Sequence, residues 1–269
     1  MSNGANVTGG NVTRDSLIIR YNPRSKSIVF KADLAPFIQE MRQQTSLLGN
    51  GIQDMAEDSV GNSYTYVTFG AKRLAKISPQ GNVSTWYATN QIGTSNLYFP
   101  STYGGIIFHA PSNKFIITDS VVGRFNTFDD AAAQGVPITV DMIGFPSDYT
   151  GVSCNNLLNP ARYANQSVVL CCEDAFGTSG SITVFRTSDN WKSANYVGSV
   201  AIDDPLAAGS IPSATVQIAN SLYISPFFDT DGPMQDTTRN RTSFPLIDIT
   251  AKIDALVLPD GATVSKTFC

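Results

Sequence analysis

Short apolar runs alternate with tight polar turns along the whole chain, and one combination of the two recurs. An apolar segment, a polar turn and a strand-like run follow one another at residues 52–56, 58–62 and 63–69. The same order returns at 105–109, 111–113 and 114–120, at 156–162, 164–166 and 167–173, and at 215–218, 219–220 and 221–227. The repeat is 52 to 55 residues long. Its runs are rich in Val, Ile, Tyr, Phe and Thr and too short for helices, so they read as strands. Behind the first three copies comes another hairpin, such as 74–77 and 83–87 around the Pro-Gln-Gly-Asn turn at 79–82. Units of four short strands repeating at this period predict an all-β fold, a β-propeller.

The chain starts differently. Residues 17–21 and 27–31, around the Asn-Pro-Arg-Ser-Lys turn at 22–26, read as the outer hairpin of a blade. Residues 1–14, rich in Gly, Asn and Thr, cannot supply its inner strands. The expected architecture is half a blade followed by four, the last irregular, in one domain over residues 1–269. An open blade edge leaves backbone groups unpaired, so the ring must close. The reading favoured is a six-bladed ancestor lacking about one and a half N-terminal blades; a five-bladed ring is the alternative. Between the first two hairpins, Leu34, Phe37, Ile38 and Met41 predict a short surface helix over 33–44, with Asp33 as N-cap and Pro36 in the first turn. Residues 229–242 form a polar insertion in the last blade.

Composition narrows the function. Only 15% of residues are charged and the net charge is −4. No basic run exceeds Lys72–Arg73, which argues against nucleic acid and anionic membrane as partners. No stretch approaches the length of apolar chain that spans a bilayer. The first ten residues lack the apolar core of a secretory signal. Sequons nevertheless stand at Asn6, Asn11, Asn82, Asn165 and Asn240, so a secretory or endomembrane route is open if a signal precedes the chain. Four cysteines are too few for a disulfide scaffold, although a turn near 165 would bring Cys154 opposite Cys172 and permit one bridge. With one histidine and no Cys-x-x-Cys, zinc is not expected.

The segments NVTRDSLIIRYNP at 11–23, NGIQDMAEDSVG at 50–61, ISPQGNVSTW at 77–86 and Tyr103-Gly104-Gly105 resemble a fungal family of six-bladed propellers. That family lies near the SMP-30/gluconolactonase-like proteins. It includes the propeller protein of trichothecene toxin clusters and the hetero-Diels–Alderases of tropolonic sesquiterpenoid clusters. The resemblance covers essentially the whole chain.

In a propeller, the loops entering the inner strands and those between second and third strands converge on one end of the central channel. Here they carry Gln53, Asp54, Lys72, Arg73, Tyr103, Asp119, Asn156, Phe176 and Phe228, a mix of acids, amides, cations and aromatics suited to a small apolar or aromatic substrate. Three functions are open, and the resemblance implies the first. A cofactor-free cyclase, joining a tropolone quinone methide to a humulene-type terpene, needs apolar walls (Tyr103, Phe176, Phe228) and donors to a carbonyl. Lys72, Arg73 and Asn156 are the expected donors, with Gln53, Asp54 and Asp119 beside the substrate. A metal-dependent lactonase would use Asp54 and Asn156 as ligands, but Tyr103-Gly104-Gly105 stands where that pattern wants Asn-Gly. A carrier propeller would bind without turnover. The expected site therefore has no metal and no cofactor. His109, mid-strand, is expected to pack rather than catalyse, and no Gly-x-Ser-x-Gly or phosphate-binding glycine loop occurs.

Overall fold

Five sheets follow one another in chain order among the described residues. The computed structural model describes residues 16–45, 52–68, 70–92, 102–147, 149, 151–163, 167–173, 180–228 and 241–258. The chain divides into two compact units, Met1–Ile138 and Thr139–Cys269.

In the first unit, β1 (Leu17–Asn22) and β2 (Ser27–Asp33) form a two-stranded antiparallel sheet, as the first hairpin predicts. Asn22 shapes its turn by accepting from the backbone N–H groups of Arg24 and Ser25 at 2.9 and 3.2 Å. Helix α1 (Ala35–Thr45) follows, with the Asp33 carboxylate accepting from Ala35 N at 2.8 Å. The helix is less superficial than its sequence suggests. Phe37, Ile38 and Met41 are buried in a cluster with Ile18, Phe30 and Ile77, because a 3.6-residue period places them on one stripe.

The next two sheets each match one repeat. One is β3 (Met55–Glu57), β4 (Ser63–Tyr66), β5 (Ala71–Ile77) and β6 (Val83–Ile92); the other is β7 (Tyr103–His109), β8 (Lys114–Asp119), β9 (Arg124–Asp129) and β10 (Ile138–Thr139). Asp58 starts the β3–β4 turn for a physical reason: its Oδ1 accepts from Val60 N and Asn62 N at 3.0 and 2.8 Å. All four residues of β4 are buried, so both faces of that strand are covered. One face meets Tyr103, Ile106, Phe115 and Phe128 through Tyr64 and Tyr66.

In the second unit, β11 (Asp141–Ile143), β12 (Cys154–Leu158), β13 (Val168–Glu173), β14 (Ser181–Arg186) and β15 (Ser193–Ala201) form one sheet. Its inner four strands are the repeat; β11 adds to the outer edge in parallel with β15. The last sheet holds three strands, β16 (Ile211–Ile218), β17 (Ser221–Phe227) and β18 (Ile247–Asp248), followed by helix α2 (Thr250–Val257). Ile253 and Val257 bury one face of α2 against Leu222 and Ile224. Arg162 fastens the helix: its guanidinium contacts both Asp254 carboxylate oxygens, at 2.8 and 2.6 Å, and also donates to Asn220 O.

The cysteine expectation needs correction. Cys154 is bonded to Cys171, not to Cys172, with Cα atoms 5.2 Å apart. A bulge between Cys154 and Asn156 shifts the register, so that Asn156 faces Cys172 and Leu157 faces Cys171. Neighbouring residues of a strand point to opposite faces. Cys172 therefore shares the buried face of Val168 and Leu170, while Cys171 turns to the bridge.

Candidate functional site

Two side chains of the first unit organise its candidate site. Lys72 lies at the start of β5 and Asp119 at the end of β8, and Lys72 Nζ donates to Asp119 Oδ2 at 2.6 Å. Their side chains are only 4% and 3% exposed. The same Asp119 oxygen accepts from Asn126 Nδ2 at 2.9 Å, and Oδ1 accepts from Val121 N at 3.1 Å. A carboxylate can accept about four hydrogen bonds, and Asp119 accepts these three. The carboxylate is thus held on two sides and fixes the ammonium.

Aromatic rings close around this pair. Tyr103, paired with Asp119 across β7 and β8, is fully buried, and Lys72 Nζ lies 6.0 Å from its ring centroid. Tyr66 and Tyr87 each stand 6.4 Å from Tyr103, centroid to centroid. Burial above all, then the nearby Tyr87 and Asp119, holds the Tyr103 phenol far above its ordinary range. Burial, with the Asp54 charge second, does the same to Tyr66. Both hydroxyls are therefore neutral donors at any physiological pH.

Asp54, just before β3, faces the neighbouring sheet. Its Oδ2 accepts from Ile106 N at 3.1 Å and its Oδ1 from Met55 N at 2.9 Å. Gln53, exposed, accepts weakly from Thr68 Oγ1 at 3.4 Å. Thr102 Oγ1, fully buried, contacts Val67 O and Thr68 O at 2.6 and 3.1 Å, stitching the two sheets together at this end. Lys72, Asp119, Tyr103, Asp54 and Gln53 thus share one end of the two sheets.

Arg73 does not join them. It follows Lys72 on β5 and so points to the other face. There its Nη2 donates to Gln44 Oε1 and its Nη1 lies 3.6 Å from Glu40 Oε1, both on α1. The Lys72–Arg73 doublet thus divides, Lys72 pairing with Asp119 and Arg73 anchoring α1. His109 sits at the far end of β7 from Tyr103, six strand steps or about 20 Å away. It is buried, with Nδ1 2.7 Å from Ser112 Oγ.

In the second unit, Asn156 Oδ1 accepts from Thr215 N at 3.0 Å and lies 3.3 Å from Thr215 Oγ1, tying β12 to β16. Phe228 is buried after β17 under the Arg241 guanidinium, 3.4 Å from the ring centroid. Phe176 lies outside the described residues. Glu173, at the end of β13, accepts from Tyr149 OH and Thr183 Oγ1 and lies beside a stack of Phe145 on Tyr149, centroids 4.5 Å apart. Among the described residues no three His, Cys, Asp or Glu side chains gather where they could hold a metal ion.

Sequence reasoning missed Asn126 and Tyr87. The signal for Asn126 was present: a lone amide between buried neighbours in Arg124-Phe125-Asn126-Thr127-Phe128 needs a polar partner. Tyr87 gave no comparable signal, because strand aromatics are ordinarily core.

No family model matches the chain. Trichothecene biosynthesis protein 14 of Trichoderma arundinaceum is 23% identical over 259 residues, 95% of this chain and 64% of that protein. Core trichothecene cluster protein 14 of Fusarium sporotrichioides is 26% identical over 212 residues, 78% of this chain and 53% of that protein. The crystal structure of the Malassezia sympodialis allergen Mala s 1 has a TM-score of 0.65 with this fold, covering 84% of this chain and 64% of that one at 24% identity. The fold is all-β and of the propeller type. The chain is similar to the trichothecene cluster protein 14 sequences and shares its fold with the Malassezia allergen, and it spans about two thirds or less of their length.

Proposed function

We propose that this chain serves fungal secondary metabolism as a cofactor-free cyclase, its reaction a hetero-Diels–Alder addition of a humulene-type sesquiterpene to a tropolone quinone methide. The observation that carries the reading is the Lys72–Asp119 pair, an ammonium fixed by a carboxylate among neutral phenols. Such a cycloaddition moves no proton and needs no redox partner. What accelerates it is orientation of two apolar reactants, about 7–11 kcal/mol at best. One donor placed on the carbonyl where negative charge grows adds about 3–4 kcal/mol. Low dielectric around the pair strengthens that donor. The relatives named for trichothecene clusters support a place in secondary metabolism.

The near-complete burial of Lys72 and Asp119 favours a second reading, in which the pair clamps two sheets and the propeller binds its ligand without turnover. One assay separates these. Purified protein is mixed with a generated quinone methide and the terpene, with and without EDTA, and the rate and enantiomeric excess of adduct are followed. Catalytic, enantioselective formation that survives EDTA supports the cyclase. Stoichiometric binding without acceleration supports the carrier. Activity that vanishes with EDTA and returns with calcium refutes the cofactor-free reading in favour of the lactonase relatives.

A further inference from the structure

Two observations, independent of the proposed cyclase, converge on a covalent modification. The first is the Cys154–Cys171 bridge. Structural disulfides form and persist in oxidising compartments and are rare where glutathione and thioredoxin keep thiols reduced. The second is the hairpin tip between β5 and β6. There Asn82-Val83-Ser84 is a glycosylation sequon, and both Asn82 and Ser84 are exposed.

The tip is built without the Asn82 side chain. Ser78 N donates to Asn82 O at 2.9 Å, Gly81 N to Ser78 O at 2.8 Å, and Asn82 N to Ser78 Oγ at 3.2 Å. Gly81 adopts φ 90° and lies so close to Phe30 that an added Cβ would come within 2.9 Å of it. One flank of the turn is thus pinned onto β2. The Asn82 amide makes no hydrogen bond among the described residues. The other four sequons fall outside those residues.

We propose that Asn82 carries an N-linked oligosaccharide, attached as the chain enters an oxidising lumen. The Asn82 Nδ2 attacks the anomeric carbon of an oligosaccharide borne on a polyprenyl pyrophosphate. The C–N bond forms, the C–O bond to pyrophosphate breaks, the polyprenyl pyrophosphate leaves, and the amide proton passes to the transferase's base. Ser84 supplies the hydroxyl by which the sequon is recognised. The glycan covers an exposed tip at the opposite end of β5 from Lys72, so it leaves the candidate site clear.

The test uses the protein tagged at its own chromosomal locus and purified without reductant. It is treated with peptide N-glycosidase in ¹⁸O water and mapped by mass spectrometry. The expected map shows the Asn82 peptide returned as ¹⁸O-labelled Asp and the Cys154 and Cys171 peptides linked. Asn82→Gln and Ser84→Ala should each lose the same single step of gel mobility shift. An unmodified Asn82 peptide in the native protein overturns the proposal, and so does a gel mobility that neither variant changes.

Discussion

Lys72 and Asp119 stand 47 residues apart in the chain, yet their charged atoms meet at 2.6 Å between two neighbouring sheets with almost no exposure to water. A buried pair of this kind contributes little relative to an apolar replacement of both partners, but breaking it strands a charge. Lys72→Ala should therefore destabilise the first unit by about 3–5 kcal/mol. Lys72→Met with Asp119→Asn keeps an acceptor for Val121 N, while Asn126 can turn its amide to accept from the new NH2, and the pair of changes should recover most of that loss. Urea unfolding of the single and double variants checks both values.

Arg73 answers to a different face, so its variants should separate stability from chemistry. Arg73→Met should loosen α1 by removing the contacts to Glu40 and Gln44, lowering the urea midpoint while leaving turnover per folded molecule unchanged. The companion change Met41→Ala, inside the same helix seam, should cost about 2–5 kcal/mol. Turnover lost from folded Arg73→Met would return this guanidinium to the site.

The disulfide closes a short loop, with 17 residues of sequence separation between its cysteines. A loop of that size stabilises by about 3 kcal/mol in the chain-entropy view. Reduction, or Cys171→Ala, should shift unfolding of the second unit by that amount. Cys172→Ala should leave the bridge intact and cost only the packing of a small buried side chain.

Acid sensitivity should be traceable to Asp189. Hydrogen bonds to its carboxylate, the Ser193 N–H foremost, outweigh partial burial and hold it at about 2, below its ordinary 3.8. A depressed carboxylate contributes stability that is present above its ordinary value and is lost as pH falls toward the folded value. The stability gap between the native protein and Asp189→Asn should be constant above pH 5 and narrow between about 4 and about 2. Thermal unfolding across that range measures it.

The repeat made most of the sheets legible from sequence, because each turn is fixed by a local device such as the Asp58 carboxylate or the left-handed Asn113. Strand ends were less so. β3 is confined to Met55–Glu57 although the apolar run begins earlier, since Ile52 packs into the helix cluster instead of pairing. Helix α2 went unread because its stability comes from Arg162 and Leu222, far away in sequence. The register of β12 was unreadable for the same reason: a single bulge, invisible in composition, exchanged Cys172 for Cys171 in the bridge. At the site, loop positions predicted which residues would gather at one end of the first unit, but strand alternation removed Arg73 from them.

The central claim is that the Lys72 ammonium, held by Asp119, acts on the substrate rather than only joining two sheets. Lys72→Met with Asp119→Asn removes the donor and leaves a folded protein, so turnover of that variant measures the claim most directly. The expected result is a urea midpoint close to the native one with the rate of enantioselective adduct formation down by about 10²–10³. A folded double variant that forms adduct at the native rate and enantiomeric excess would contradict the account.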